Sequence, residues 1–544
     1  MENIHVAPVD RLKSDTGTMK QFCTAGPVQA DIHYCISPLQ RVDREELFGL
    51  IEARKYFILH APRQTGKTTC LLALVKELNK TGKYRAVYMN IESAQAVRED
   101  ADAAMRIIAA EIASRAQTGL KDSYPDSICD EILARSPMRA LQTMFERWAA
   151  HSPLPLIIMI DEIDSLVGDS LITVLRQLRA GYESRPDGFP QSVVLCGLRD
   201  LKDYRIHGTK EIITGGSAFN IKAESLRLGD FTQIDVRNLY EQHTTETGQR
   251  FEDDVYPLVW ELTRGQPWLV NALAYEACFR MVENRDRARP ITATIIMEAK
   301  ERLILRRETH LDQLADKLKE ERVRRVVQPI LAGEERIGGS ETSDDTQYVV
   351  DLGLIRRSSA GLEVANAIYK EVIPRELNFE IQTDFGNLQR TEWYVMPDGR
   401  LDMPKLIEAF QQFYRENAEI WLARFSYQEA GPQLLLQAFL QRIVNGGGRI
   451  DREYGLGRRR TDLLVIWNYP GGVQRAVIEL KVLWKSMERT LKDGLAQTAE
   501  YLDRVGLAEG HLMIFDRSEA KTWDEKVFRS EEEVSGRKIS VWGM

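Results

Sequence analysis

The nine residues from Ala61 to Thr69 read Ala-Pro-Arg-Gln-Thr-Gly-Lys-Thr-Thr. They fit the pattern A/G-x-x-x-x-G-K-S/T, with Ala61 where a glycine usually stands. The apolar run Tyr56-Phe-Ile-Leu-His60 precedes them and reads as a buried strand. Cys70-Leu-Leu-Ala-Leu-Val-Lys-Glu-Leu78 follows with helical spacing. Strand, loop and helix in this order make a phosphate-binding loop. Its backbone N–H groups, from Arg63, Gln64, Thr65 and Gly66 to Thr69, would surround nucleotide phosphates at the positive helix end. Lys67 would reach the β- and γ-phosphates, and the Thr68 hydroxyl would bind Mg²⁺.

At 544 residues the chain is too long for one core, and several domains are expected. A net charge of −8 advertises no global attraction to nucleic acid, so such binding must come from local patches. The six cysteines form no C-x-x-C pair, which argues against a zinc site or a disulfide framework and for a reducing cytoplasm. The first residues lack the apolar core of a signal peptide, and no apolar run is long enough to cross a bilayer.

Downstream, the spacing predicts a helix over 39–55, a strand over 84–91, and helices around 99–117 and 137–150. Strands alternating with helices argue for an α/β parallel sheet. Leu156-Ile-Ile-Met-Ile160 is an apolar strand that ends in Asp161-Glu162. Asp161 can hold the Mg²⁺ that Thr68 touches, and Glu162 can orient and deprotonate the attacking water. Asp164 reads as a cap for the next helix. A further strand, Gln191–Cys196, leads to Arg199, which can reach a γ-phosphate; a surface arginine after a strand would look the same. Residues 251–283 read as helical, broken at Gly265-Gln-Pro267-Trp268. Such a turn can set Pro267 against a nucleotide base, or be an ordinary corner.

The run from Gly26-Pro27 and His33-Tyr34 through the loop, Asp161-Glu162, Phe219-Asn220 and Gly265-Gln-Pro267-Trp268 resembles the prokaryotic AAA-like ATPases. It is similar to the signal-transducing STAND class of P-loop switches. The resemblance covers roughly the first 300 residues. It implies an ATP-driven switch whose Gly-x-Pro element senses the nucleotide.

Residues 301–321 read as one charged, solvated helix linking domains. Helices near 322–333 and 343–353, and a hairpin over 354–364, resemble a winged-helix domain. The acidic stretch Thr342–Tyr348 favours a protein or interdomain contact there over DNA.

The last third carries a second constellation. Asp462 opens an apolar strand, and Pro470-Gly-Gly472 makes a turn. Glu479 and Lys481 lie two apart on the next strand, and so on one face. Two carboxylates can hold Mg²⁺ against a phosphodiester, and Lys481 can neutralise the developing charge. Lys481 could instead form a surface ion pair with Glu479. Asp462 and Glu479-x-Lys481 resemble the PD-(D/E)XK nuclease superfamily over about 379–544. The superfamily's proline before the aspartate is Thr461 here. The resemblance implies that Glu429 is the helix-borne acid and that Gln497 and Tyr501 are the Q-x-x-x-Y element of the RecB-like branch, helping to place DNA and metal. Arg458-Arg-Arg460 would meet phosphates.

The expected architecture is α/β: a P-loop ATPase parallel sheet over 1–235, a helical lid over 236–305, a winged-helix-like connector over 306–378 and a PD-(D/E)XK nuclease-like domain over 379–544. The expected function is an ATP-hydrolysing switch coupled to a Mg²⁺-dependent DNA nuclease, in a setting that resembles prokaryotic genome defence. DNA and a homo-oligomer are among the partners this reading admits. The alternative is an ATP-gated DNA- or protein-binding switch with an inert nuclease fold. A DNA-translocating motor is a further rival, but no helicase motif set is visible.

Overall fold

A computed structural model describes residues 19–200, 205–207, 212–214, 222–306, 309–332, 344–359, 361–377, 394–422, 436, 439–440, 448–453, 462–483, 486–516, 518 and 521–544. The chain divides into two compact units, Met1–Arg306 and Arg307–Met544.

The first unit is built on strands β1 (Tyr56–His60), β2 (Arg85–Asn90), β3 (Leu156–Asp161) and β4 (Ser192–Gly197). A short hairpin follows, β5 (Arg205–His207) with β6 (Ile212–Thr214), and then β7 (Lys222–Arg227). The main sheet has the order β2-β3-β4-β1-β7, and every pairing in it is parallel. Its inner strands β1, β3 and β4 carry apolar runs because both faces are covered. Ile58, Val87, Met89, Ile158, Ile160, Val193 and Leu195 point to one side. There they pack under the helices Ala101–Leu120, Ala140–His151 and Gly168–Ala180. Phe57, Leu59, Ile157, Met159, Val194 and Cys196 point to the other side, beneath Arg44–Glu52 and Lys67–Lys80. All five strands run the same way, so their carboxyl ends form one rim, where ligands bind in open α/β sheets.

Several elements differ from the sequence expectation. The 39–55 segment is a 3-10 turn, Pro38–Arg41, followed by the helix Arg44–Glu52. Asp43 starts that helix by accepting the Glu46 N–H. A helix over Tyr124–Arg135, not expected, precedes the one at 140–151; Pro125 in its first turn suits a helix start. The strand β7 was also missed. The stretch 301–321 is not one helix: Ala293–Leu305 ends at Arg306, and a second helix covers Thr309–Leu318. Nor is it simply solvated, since Leu303, Leu311, Leu314 and Leu318 are buried. Phe219-Asn220, Glu429 and Arg458-Arg-Arg460 lie outside the described residues.

In the second unit the helices Thr309–Leu318, Glu321–Ala332 and Asp344–Asp351 precede a hairpin, β8 (Ile355–Ser358) with β9 (Gly361–Val364), and the helix Ala367–Leu377. A six-stranded mixed sheet follows. It comprises β10 (Gly448–Glu453), β11 (Asp462–Tyr469), β12 (Gly472–Val482), β13 (Glu509–Phe515), β14 (Phe528–Val534) and β15 (Arg537–Gly543). Its order is β10-β11-β12-β13-β15-β14. The first three strands form an antiparallel meander, and the helix Met487–Val505 then crosses to β13, which lies parallel to β12.

Three histidines favour the neutral form in the fold, His243 and His310 buried and His511 half-buried. His243 is enclosed by Tyr34 and Gln249, near Arg287 and Glu246, and its pKa is lowered to about 4 chiefly by burial. Burial lowers His310, beside Tyr369, to about 3, and His511, beside Trp542 and near Arg529, to about 4. Each is neutral when folded, whereas its unfolded counterpart takes a proton below about pH 6.5, so stability falls with pH through this window. The thermal midpoint is therefore expected to drop between about pH 6.5 and 5, above the range of ordinary carboxylates. A flat profile there contradicts the assignment.

Candidate functional site

The rim of the parallel sheet gathers the candidate residues of the first unit. Gly66 adopts φ +87° and caps the helix that begins at Lys67. Gln64 is also left-handed, at φ 56°. The Thr65 hydroxyl donates to the Pro62 carbonyl at 2.7 Å, folding the loop on itself. Lys67 is 8% exposed, and its ammonium donates to the carbonyls of Ala61 (3.1 Å) and Pro62 (3.2 Å). Arg63 is exposed. Thr69 uses its hydroxyl to accept the Val28 N–H at 3.1 Å.

The Thr68 hydroxyl donates to Asp161 Oδ2 at 2.7 Å. Asp161, fully buried at the end of β3, also accepts the Tyr88 hydroxyl on that oxygen at 3.0 Å. The next residue, Glu162, is left-handed (φ 59°, ψ 43°), and its N–H donates to Asp161 Oδ1 at 3.0 Å. A non-glycine residue there carries backbone strain, which clusters at functional sites. Burial pushes the Glu162 carboxyl above its ordinary range. Lys67 opposes the shift, while Asp164, Asp161 and Glu92 reinforce it. Asp164 does not cap the helix that begins at Gly168; its carboxylate accepts the Leu198 N–H at the end of β4. Arg199 follows immediately and is half-buried.

Beside the loop lies a cleft of about 120 Å³ with Val28, Tyr34, Phe231, Pro267 and Trp268 among its walls. Pro267 begins the helix Pro267–Tyr275, and the Gln266 side chain reaches the Gln64 carbonyl at 3.4 Å. Gly265 (φ +79°) lets the chain pass Phe231: a Cβ there would stand 2.0 Å from the Phe231 carbonyl oxygen. The fit to a nucleotide rests on chemistry. The walls are largely apolar, the loop's N–H groups lie next to them, and Gln64 Oε1 is buried with no hydrogen-bond partner among the described residues.

Sequence reasoning missed three contributors, Arg41, Tyr88 and Asn271. Arg41 donates to the Thr65 carbonyl at 2.6 Å and to the Gly229 carbonyl, with its guanidinium over the Phe231 ring at 5.0 Å. Tyr88 supports Asp161. Asn271 accepts the Cys23 N–H, and Trp268 donates to the Thr24 carbonyl, so the segment after residue 19 is tied over the cleft. A lone arginine before a helix and a tyrosine inside a strand carry no local signal. Only the alternation of β2, which sets Tyr88 apart from Val87 and Met89, hinted at its direction.

In the second unit Glu479 is fully buried and ion-paired with Lys481, on the face of β12 shared with Val477. The pair is thus not a surface one. Val477 and Tyr501 belong to one apolar cluster, and Gln497 lies one turn before Tyr501 on the helix Met487–Val505. β11 and β12 pair Leu463 with Ile478, so the next register step sets position 462 opposite 479. Among the described residues no group of three or more His, Cys, Asp or Glu could hold a metal ion.

The AAA-like domain family matches residues 45–373, more than half of the chain. The chain belongs to the AAA-like domain family. No curated protein matches it in sequence. Similar solved structures include a Walker-type ATPase of Pyrococcus abyssi, at 14% identity and a TM-score of 0.44 over 66% of this chain and 99% of that one. The Thermotoga maritima RuvB Holliday junction branch migration motor is also 14% identical, with a TM-score of 0.34 over 62% and 97%. Aeropyrum pernix ORC2, in ADPNP–ADP complexes, is 14% identical, with a TM-score of 0.33 over 64% and 95%. With its parallel sheet and phosphate-binding loop, the first unit of this AAA-like protein has the P-loop ATPase fold. No helix among the described residues is long and apolar enough to cross a membrane.

Lys67→Ala is expected to abolish ATP binding, because it removes the cation inside the loop. Calorimetric titration with MgATP checks this; wild-type affinity in the variant contradicts the role given to the loop.

Proposed function

We propose that this AAA-like protein is an ATP-hydrolysing switch of the STAND type joined to a Mg²⁺-dependent deoxyribonuclease. The observation that carries the first half is the Thr68–Asp161 hydrogen bond, which brings the two nucleotide motifs to one point. ATP would lie with its phosphates on the loop and its base against Pro267 and Trp268. A hydroxyl and a carboxylate are hard oxygen donors that suit Mg²⁺, and Thr68 and Asp161 would hold it. Bound there, the ion would neutralise charge that develops on the β- and γ-phosphates. Lys67 would exchange its two carbonyl contacts for phosphate oxygens. Glu162, with its carboxyl pKa raised toward the working range of a base, would take a proton from the attacking water. Arg199 would meet the γ-phosphate.

The nuclease half is supported by the meander β10-β11-β12, the crossing helix and the parallel β13, together with a carboxylate and a lysine on one face of β12. Asp462 and Glu479 would hold a second Mg²⁺, with Glu429 as a further acid. Lys481 would neutralise charge on the scissile phosphate, and Gln497 and Tyr501 would position DNA and metal. The buried oxygen of Gln497, without a hydrogen-bond partner among the described residues, fits a polar ligand at this place. The segment 306–378 would couple the two activities, and genome defence in a prokaryotic cytoplasm is the setting such a pairing suggests. One observation favours a second reading. The closed Glu479–Lys481 ion pair suits an inert nuclease fold, leaving an ATP-gated DNA- or protein-binding switch.

Glu162→Gln is expected to keep ATP binding and to slow hydrolysis by about 10²-fold or more, the scale of a lost general base. Phosphate release at saturating ATP measures it, and wild-type turnover would count against the role. Asp462→Ala and Lys481→Ala should each end Mg²⁺-dependent cleavage of linear DNA while leaving ATP hydrolysis near normal, because the two sites belong to separate folds. Cleavage that survives both changes sinks the nuclease reading. A wild-type protein that binds DNA without cutting it favours the second reading.

A further inference from the structure

Two residues beyond Glu162, Asp164 holds a peptide group that the phosphate loop also holds. The Leu198 N–H donates to both Asp164 oxygens, at 2.9 and 3.1 Å. The carbonyl of that same peptide, Gly197 O, accepts the N–H of Ala61, the first residue of the phosphate loop, at 3.3 Å. Ala61 in turn offers its own carbonyl to Lys67. One peptide plane thus joins the loop that carries Lys67 to the turn that carries Glu162, and Arg199 is the next residue along the chain. The approach is tight. A Cβ at Gly197 would stand 2.0 Å from Asp164 Oδ1 and 2.9 Å from Ile163 Cγ2, so only glycine fits. Glu162, in its strained left-handed conformation, depends on neighbours to stay there.

We propose that Asp164 is a positioning residue for ATP hydrolysis, setting Glu162 and Arg199 relative to the phosphate loop through the Gly197–Leu198 peptide. The inference rests on the ATPase reading above. Asp164 acts as a hydrogen-bond acceptor, so its charge is dispensable while its oxygen is not. Misplacing a water-activating group by about 1 Å can cost 10²-fold in rate. Nucleotide affinity depends on the loop and the cleft and should be unaffected.

The test compares wild type, Asp164→Asn and Asp164→Ala for phosphate release at saturating MgATP and for affinity toward a fluorescent ATP analogue. Asp164→Ala should lose at least about tenfold in turnover with affinity kept within about twofold, the mark of an interaction that matters only in the reaction. Asp164→Asn, whose amide oxygen still accepts the Leu198 N–H, should recover to within about threefold of wild type. Wild-type turnover in Asp164→Ala overturns the proposal. So does an Asn variant as slow as the Ala variant at unchanged affinity, because the carboxylate charge would then act directly. If Asp164→Ala does not fold, the Asn variant decides alone, and turnover below a tenth of wild type overturns the role. A wild-type protein that binds the analogue but releases no phosphate fails the ATPase reading itself, which the variants cannot mimic.

Discussion

One hydrogen bond, from the Thr68 hydroxyl to the Asp161 carboxylate, joins segments 93 residues apart, and the geometry of the first unit exists to make it. It needs β1 and β3 to run parallel with β4 between them, so that the loop after one strand and the acids after the other reach the same rim. The parallel arrangement in turn needs helices on both faces, which is why the inner strands β1, β3 and β4 carry apolar runs. Burial of Asp161 in that rim is tolerable because Thr68, Tyr88 and the Glu162 N–H all donate to it.

The nucleotide motifs were legible because each packs its chemistry into a few consecutive residues after an apolar strand. Tertiary partners were not legible. Arg41, Tyr88 and Asn271 reach the site from separate elements, and nothing local distinguishes them from surface or core residues. Asp164 was misread for the same reason. An aspartate shortly before a helix looks like a cap, and only the fold reveals that the end of β4 lies within reach. The boundaries that failed did so through local chemistry. Asp43 capping moved the start of one helix, and the break at Arg306 split a run of charge that looked continuous. β7 was missed because Lys222-Ala-Glu-Ser-Leu-Arg227 lacks the apolar run of an inner strand; it pairs at the sheet's edge.

In the second unit the Asp462–Tyr469 and Gly472–Val482 hairpin was legible from two apolar runs and a Pro-Gly-Gly turn. Its chemistry was legible only as types and spacing. The two-residue period put Glu479 and Lys481 on one face, and the structure pairs them in a buried setting that a sequence cannot convey. A buried carboxylate bonded to an ammonium is costly to desolvate, and such a pair persists where specificity or chemistry requires it. That is the physical ground on which the nuclease proposal and its inert alternative meet.

A structure of the protein with a non-hydrolysable ATP analogue and Mg²⁺ tests the central claim most directly. The account predicts triphosphate density wrapped by residues 61–69, a metal ion held by Thr68 and Asp161, and the base against Pro267 and Trp268. Nucleotide bound elsewhere, or a Thr68–Asp161 hydrogen bond that persists with no metal beside it, would contradict the account.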